Sequence, residues 1–243
     1  MAVDAPSTLV IDTTTVVSLF CTFLILVAAY GAARRVLPAD TAPKLRVLFV
    51  WHLFDALIHS TYEASYLYNC FFTYADGLPN PTNFLNHPNR AYGAAYGSSP
   101  TAKLWQEYGK ADKRWMYADL STISLELLTV FGAGPLAAWI CWLIAKGDRT
   151  GKLWFLCVVL ATAELYGGFM TFCPEWLSGS QNLDTSNFMY LWVYLFFFNM
   201  LWVFIPFWIL YEAHGQISRA FKSSSGYYSN NTNRQGAAAK KAL

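Results

Sequence analysis

Long apolar runs alternate with polar segments along the chain, and five of these runs are long enough for membrane-spanning helices. A helix needs about 20 mostly apolar residues to cross the hydrocarbon core of a bilayer. The pattern therefore predicts an all-α, polytopic membrane protein built on a bundle of five transmembrane helices. We call these helices spans one to five, and they cover approximately residues 14–33, 47–72, 118–145, 153–173 and 188–211.

The composition supports a membrane protein and argues against a nucleic-acid partner. Of the 243 residues, 55% are hydrophobic and only 13% are charged, whereas soluble domains carry roughly 25% charged residues. The formal net charge is +2, and the sequence has no stripe of Lys and Arg suited to a nucleic-acid backbone. Membrane lipid is therefore the expected surrounding of most of the chain.

The distribution of basic residues predicts the orientation of the spans. Four Lys or Arg residues lie between spans one and two and three lie between spans three and four, whereas the 174–187 loop has none. Because basic residues concentrate in cytosolic loops, the N-terminus is expected in the lumen and the C-terminus in the cytosol. The 73–117 segment departs from this rule, since it should be lumenal but contains five basic residues. Cys70 and Cys173 would both lie near the lumenal side, and their spacing leaves a disulfide open.

Polar segments flank the membrane domain. Residues 1–12 are expected to form an N-terminal lead, residues 13–215 the five-helix membrane domain, and residues 216–243 a disordered cytosolic tail. Lys240 and Lys241 stand four and three places from the end of the sequence. They resemble the dilysine signal that retrieves membrane proteins to the endoplasmic reticulum; the alternative is a random basic tail.

Several ionisable residues lie inside the predicted spans, where a charge is costly unless it faces other protein groups. The spacing i, i+4, i+7, i+8 puts the polar residues of span two on one helix face, and span three has a similar stripe. We expect these stripes to converge around a mostly aromatic cavity. The residues concerned are Asp55, His59, Tyr62 and Glu63 in span two, Asp119, Thr122, Glu126 and Thr129 in span three, Glu164 in span four, and Asn199 and Trp202 in span five.

Each of these groups has a structural as well as a functional interpretation. A buried His or Glu could simply hydrogen-bond a neighbouring helix. Two buried carboxyl groups with one imidazole, and no Lys or Arg in the same spans, instead favour acid–base chemistry, because such groups can hold and deliver a proton. Asp55 and Asp119 are interpreted as structural groups near the span ends, within reach of interfacial water, and His52 as an interfacial residue.

The available groups favour a reaction that passes through a cation. The sequence has no phosphate-binding loop, nucleophile elbow or zinc motif, so we expect no cofactor and no metal. Carboxylates and the indole face of Trp202 attract positive charge. These features suit a lipophilic substrate whose alkene is protonated by an acid and whose carbocation then loses a different proton to a base.

Six segments together resemble the emopamil-binding protein family, which comprises Δ8–Δ7 sterol isomerases of the endoplasmic reticulum. The resemblance runs from about residue 45 to residue 215 and is carried chiefly by His-x3-Glu, the Glu of span three and Asn-x2-Trp. The segments are HSTYE (59–63), LWQEYGKADKRW (104–115), DLSTISLELLT (119–129), GPL (134–136), LYGG (165–168) and FNMLWVFIP (198–206).

The resemblance implies a five-helix fold, usually dimeric, with a sterol-sized pocket that opens within the bilayer. It also implies a Δ8-sterol substrate and inhibition by lipophilic amines, whose ammonium imitates the carbocation. His59 and Glu63 would deliver and remove protons while Glu126 stabilises the cation. Carried over by position, the site residues are catalytic His59, Glu63 and Glu126 and substrate-binding Thr129, Asn199 and Trp202.

Two other functions stay open at this stage. One is a non-catalytic sterol- or amine-binding or trafficking protein of the same superfamily, and the other is a small proton-coupled transporter. Some relatives would have an acidic residue at Gly168, whereas this chain has Glu164 one turn earlier. The role of span four and that of the 73–103 loop therefore stay open.

Overall fold

The computed structural model describes the backbone of residues 11–241 and the side chains of residues 11–223. This part of the chain is a helical bundle, so the predicted all-α class is confirmed apart from two short strands. The α-helices are α1 (Thr13–Val36), α2 (Pro43–Ile58), α3 (Ala64–Phe72), α4 (Pro100–Tyr108), α5 (Leu120–Leu128), α6 (Gly134–Ala145), α7 (Gly151–Leu177) and α8 (Asn199–Lys241). The π-helical segments are His59–Glu63, Thr129–Ala133 and Met189–Phe198, and short 3-10 turns cover Phe84–Asn86, Ala94–Tyr96 and Lys113–Trp115.

Contacts at the two ends of the bundle show how the helices traverse it. At one end, Asp12 before α1 pairs with Lys110 of the 73–117 segment, with Nζ and Oδ2 3.3 Å apart. At the other end, Lys44 at the start of α2 pairs with Glu212 of α8 at 2.5 Å. The continuous helix formed by α2, its π turn and α3 therefore runs from one end to the other.

Four of the helical stretches are long and apolar enough to cross a membrane, and α2–α3 is not among them. The reason is that α2–α3 carries polar residues, including Asp55 and His59, that are buried inside the bundle rather than exposed to lipid. The chain is thus a multi-pass helical membrane protein in its described part, while the number of five membrane spans stays a prediction.

The 73–117 segment is more ordered than its Gly- and Pro-rich sequence suggests. Strands β1 (Tyr74–Asp76) and β2 (Arg90–Tyr92) pair in antiparallel register, and Arg90 Nε lies 2.7 Å from Asp76 Oδ1. Arg114 Nη2 lies 2.6 Å from Asp112 Oδ2; burial opposes the Arg114 charge, but the hydrogen bonds to Asp112 outweigh it and raise its pKa. Three of the five basic residues of this segment, Arg90, Lys110 and Arg114, are therefore paired with acids.

Two peripheral features are a pair of cysteines and the C-terminal part of α8. Cys70 and Cys173, for which the sequence left a disulfide open, are both free thiols, and Cys70 is buried in an apolar cluster around Tyr66 and Trp105. The final helix continues past residue 215, where disorder is predicted, and Arg219 Nε donates to the Gly215 carbonyl within it. Elongation of an existing helix costs little per residue. The side chains of Lys240 and Lys241 lie outside the described residues, so the retrieval signal stays a prediction.

Candidate active site

Two π-helical turns meet at the centre of the bundle. His59–Glu63 interrupts the helix from α2 to α3, and Thr129–Ala133 interrupts the helix from α5 to α6. Their close approach is visible at Gly134, where an added Cβ would lie only 3.1 Å from the Cβ of His59. Single π-helical turns inside α-helices occur frequently at functional sites.

His59 is held between two carboxyl groups of its own helix. Its Nδ1 forms a hydrogen bond with Glu63 Oε2 one turn later. Its Nε2 lies 3.0 Å from Asp55 Oδ1 one turn earlier. This second contact is an ion-pair contact rather than an aligned hydrogen bond, because Nε2 has no hydrogen-bond partner within the described part of the chain. The imidazole is therefore fixed in orientation and has an acid on each side.

Asp55 lies deep in the bundle, so its interpretation as a group near interfacial water is wrong. Its side chain is 0% exposed, and Oδ1 accepts a hydrogen bond from Trp202 Nε1 at 2.8 Å. The helix begins at Pro43, earlier than predicted, and α8 covers the face that carries Asp55. His52 is also buried rather than interfacial, with Nδ1 2.7 Å from the Leu48 carbonyl oxygen.

Glu126 approaches the same centre from α5. It is buried, its carboxyl lies beside that of Glu63, and Oε2 accepts a hydrogen bond from Thr129 Oγ1 at 3.0 Å. Asp119, on the same helix, instead caps α5 by accepting the Thr122 N–H at 2.8 Å. The structural interpretation of Asp119 therefore fits, whereas Glu126 and Thr129 belong to the central cluster.

Asn199 secures the wall of the site where α8 begins. Its Nδ2 lies 3.0 Å from the Tyr108 hydroxyl and within hydrogen-bond distance of the Tyr194 and Leu195 carbonyl oxygens. Those carbonyls belong to the π-helical segment Met189–Phe198. Sequence reasoning missed Tyr108 as a member of this wall, although it lies within the segment LWQEYGKADKRW.

These groups line a cavity of about 840 Å³, which is within the size range of small-molecule sites. Most of its wall is aromatic or aliphatic, and no Lys or Arg is found among the described residues that line it. Exposed apolar residues such as Leu128, Tyr166 and Phe169 also border it, so it reaches the outer surface of the bundle between α5 and α7. Every predicted site residue lies on its wall, namely His59, Glu63, Glu126, Thr129, Asn199 and Trp202.

Glu164 of α7 also lines the cavity, although the sequence left its role open. Its side chain is buried, and neither carboxyl oxygen has a hydrogen-bond partner among the described residues. The neighbouring polar group is the carboxyl of Asp55. The sequence does distinguish it in one way, because it is the sole Asp, Glu, Lys, Arg or His residue of span four.

Comparison with known proteins identifies the domain that holds much of this cavity. Residues 100–213 match the family model EBP, described as EXPERA (expanded EBP superfamily). Just under half of the chain is thus similar to the EXPERA domain. The resemblance to the emopamil-binding protein family is therefore confirmed. The EXPERA match includes Glu126, Glu164 and Trp202, while His59 and Glu63 lie ahead of it.

Similar proteins come from animals and plants. A guinea pig 3-beta-hydroxysteroid-Delta(8),Delta(7)-isomerase is 34% identical over 43% of this chain and 45% of its own length. A probable isomerase of the same name from rice is 27% identical over 84% of this chain and 80% of its own. An isomeliandiol synthase from Melia azedarach is 26% identical over 66% of this chain and 64% of its own. The match thus spans less than half of the guinea pig relative.

Proposed function

We propose that this EXPERA protein is a sterol Δ8–Δ7 isomerase, an enzyme that moves a ring double bond without a redox cofactor. The observation that carries the proposal is an imidazole held between acids on the wall of an apolar cavity. His59 contacts Glu63 and Asp55, and Glu126 lies beside Glu63. Relatives named Δ8–Δ7 isomerases in animals and plants support the same reaction.

The reaction needs one proton donor, one proton acceptor and protection of a carbocation. The π electrons of the 8,9 double bond form a C–H bond at C9 with a proton from the enzyme, which leaves a cation at C8. The C–H bond at C7 then breaks, its electrons form the 7,8 double bond, and the proton passes to a base of the enzyme. An apolar, water-poor cavity prevents water from trapping the cation as an alcohol.

The roles of the side chains follow from their contacts. The hydrogen-bonded pair of His59 and Glu63 delivers and removes protons. Glu126, fixed by the Thr129 hydroxyl, stabilises the cation electrostatically. Trp202 also stabilises the cation, through the negative face of its indole ring. The hydrogen bond to Asp55 orients this ring. Thr129 and Trp202 thus contact the substrate.

The surroundings of the cavity suit a substrate that arrives from the bilayer. Leu128, Tyr166 and Phe169 form an apolar border through which a Δ8-sterol can enter sideways. Lipophilic amines should inhibit, because their ammonium places a positive charge among the same carboxyls. We further propose a homodimer in the endoplasmic reticulum membrane, with the N-terminus in the lumen and the C-terminus in the cytosol, as the loop charges predict.

The test is sterol profiling of a cell that lacks Δ8–Δ7 isomerase and expresses this chain. The wild-type protein should restore Δ7-sterols, whereas His59→Ala, Glu63→Ala and Glu126→Ala should each leave Δ8-sterols to accumulate. Asp76→Ala, which removes a 70%-exposed carboxylate of the hairpin, is the control and should rescue fully.

Protein levels and amine binding must be measured in parallel. Wild-type rescue by all three site variants would contradict the catalytic assignment. Purified wild-type protein that binds sterol but never moves the double bond would instead identify a non-catalytic sterol- or amine-binding or trafficking protein.

A further inference from the structure

The carboxyl of Glu164 is a buried acid that no described protein group satisfies. Its side chain is 9% exposed, and both oxygens lack a hydrogen-bond partner within the described part of the chain. A buried carboxyl without a donor is costly, and Glu164 lies on the wall of the cavity. The group that can satisfy it from the cavity side is therefore a ligand, or a proton exchanged with a ligand.

Behind the cavity wall, Glu164 is connected to His59. Its carboxyl lies beside that of Asp55, and Asp55 Oδ1 lies 3.0 Å from His59 Nε2. The other ring nitrogen of His59 bonds Glu63. Two carboxyl groups can hydrogen-bond each other only when one of them carries a proton. The four side chains thus form a row that begins and ends on the cavity wall, at Glu164 and Glu63.

After each isomerisation, the donor and acceptor groups of the site must return to their starting protonation states. Each turnover moves one proton from the donor group to C9 and another from C7 to the acceptor group. The protein then carries the same number of protons as before, but on a different residue. Either bulk water restores the starting state or a proton moves internally from acceptor to donor. The second route requires neighbouring groups that can hydrogen-bond once one of them carries the proton. Glu164, Asp55 and His59 Nε2 lie next to one another in this order, although no hydrogen bond joins them in the structure.

We propose that Glu164 is a further catalytic residue, which exchanges one of the two protons with the substrate while the His59–Glu63 pair exchanges the other. Asp55 is a positioning residue that connects Glu164 to His59 Nε2. The proton returns between turnovers through Asp55 and the imidazole, which accepts a proton at one nitrogen and releases one from the other. This inference rests on the proposed isomerase function and reassigns to Glu164 one of the two proton transfers given there to the His59–Glu63 pair.

Isotope crossover between substrate molecules tests the return path. Purified wild-type protein in ordinary water receives an equal mixture of two Δ8-sterols, one with deuterium at C7 and one with a heavier side chain and no deuterium. If the proton removed at C7 returns internally, the heavier product acquires deuterium at C9. Asp55→Asn keeps an acceptor for Trp202 Nε1 but cannot relay a proton as an acid, so it should abolish this crossover.

The turnover rates of two variants test the role of Glu164. Glu164→Gln should lower kcat at least about 100-fold, the smaller effect typical of a general acid or base, with KM little changed. Glu175→Gln is the matched control, since Glu175 is a buried residue of the same helix whose oxygens bond Asn182. It should leave kcat unchanged. Amine binding by each variant reports whether the cavity is intact.

The outcomes separate this inference from the proposed function. Wild-type protein that isomerises sterol without crossover overturns the return path, and this measurement needs no variant to fold. A wild-type kcat in Glu164→Gln overturns the role of Glu164. Wild-type protein that converts no sterol overturns the proposed function, and this inference with it.

Discussion

A single methyl group added at Gly134 should lower the activity of the protein without lowering its stability. A Cβ at this residue would lie 3.1 Å from His59 Cβ, whereas ordinary contacts begin at 3.4 Å. Its backbone angles, φ −56° and ψ −54°, are those of a right-handed helix. Pro135 follows directly, and the proline ring disfavours these angles for a preceding residue that has a Cβ. The substitution Gly134→Ala must therefore be accommodated by moving His59 a few tenths of an ångström.

The size of the effect follows from that displacement. A misplacement of about 1 Å costs roughly 100-fold in rate. If the logarithm of the rate falls in proportion to distance, a shift of about 0.3–0.5 Å lowers kcat roughly 4- to 10-fold. Alanine in place of glycine inside a helix contributes about 1 kcal/mol of stability, but the contact of its Cβ with the ring of Pro135 opposes that gain. Turnover should thus fall while the free energy of unfolding stays about level.

The assay is conversion of a Δ8-sterol by solubilised protein, with thermal unfolding measured on the same samples. Gly31→Ala serves as the control, because an added Cβ at this helical position meets nothing within 4 Å. It should raise stability without lowering kcat. Wild-type turnover in Gly134→Ala would show that the position of His59 does not limit the reaction, and a lower unfolding temperature would show a packing defect instead.

Three further substitutions test one contact of the site and two salt bridges of the 73–117 segment. Trp202→Phe keeps an aromatic ring but removes the Nε1 donor to Asp55, so the free energy of unfolding should fall by about 1–3 kcal/mol; an unchanged denaturation midpoint would count against this bond. Arg114→Met leaves the buried carboxylate of Asp112 without its partner and should cost about 3–5 kcal/mol. Arg90→Met, at the exposed hairpin pair, should cost less than about 1 kcal/mol by the same measurement, and equal losses for the two arginines would refute the distinction.

Local patterns were enough to predict what lies within one helix. His59 and Glu63 are four residues apart, so helical geometry alone brings their side chains together. The apolar runs likewise indicated the bundle, because a helix in lipid must satisfy its own backbone hydrogen bonds. Thr129 and Glu126 form a second contact of this kind, since they are three positions apart on one helix face.

Contacts between helices needed the tertiary structure. Trp202 donates a hydrogen bond to Asp55, which lies 147 positions away in the sequence. Helical periodicity relates only residues close in sequence, so it cannot predict such a pair. For the same reason the sequence could not say whether Glu164 faces lipid, another helix or the cavity. The salt bridges of Arg90, Lys110 and Arg114 also depend on folding, since charge counts ignore which residues become partners.

The sequence by itself determined the membrane class, the helical architecture and the helical stripes that hold His59, Glu63 and Glu126, because these depend on apolar length and helical period. Only the tertiary structure decided that Asp55 is central rather than peripheral and that Glu164 reaches the same cavity. The physical reason is that side chains on separate helices meet through packing, which is set by the whole bundle rather than by neighbours in sequence.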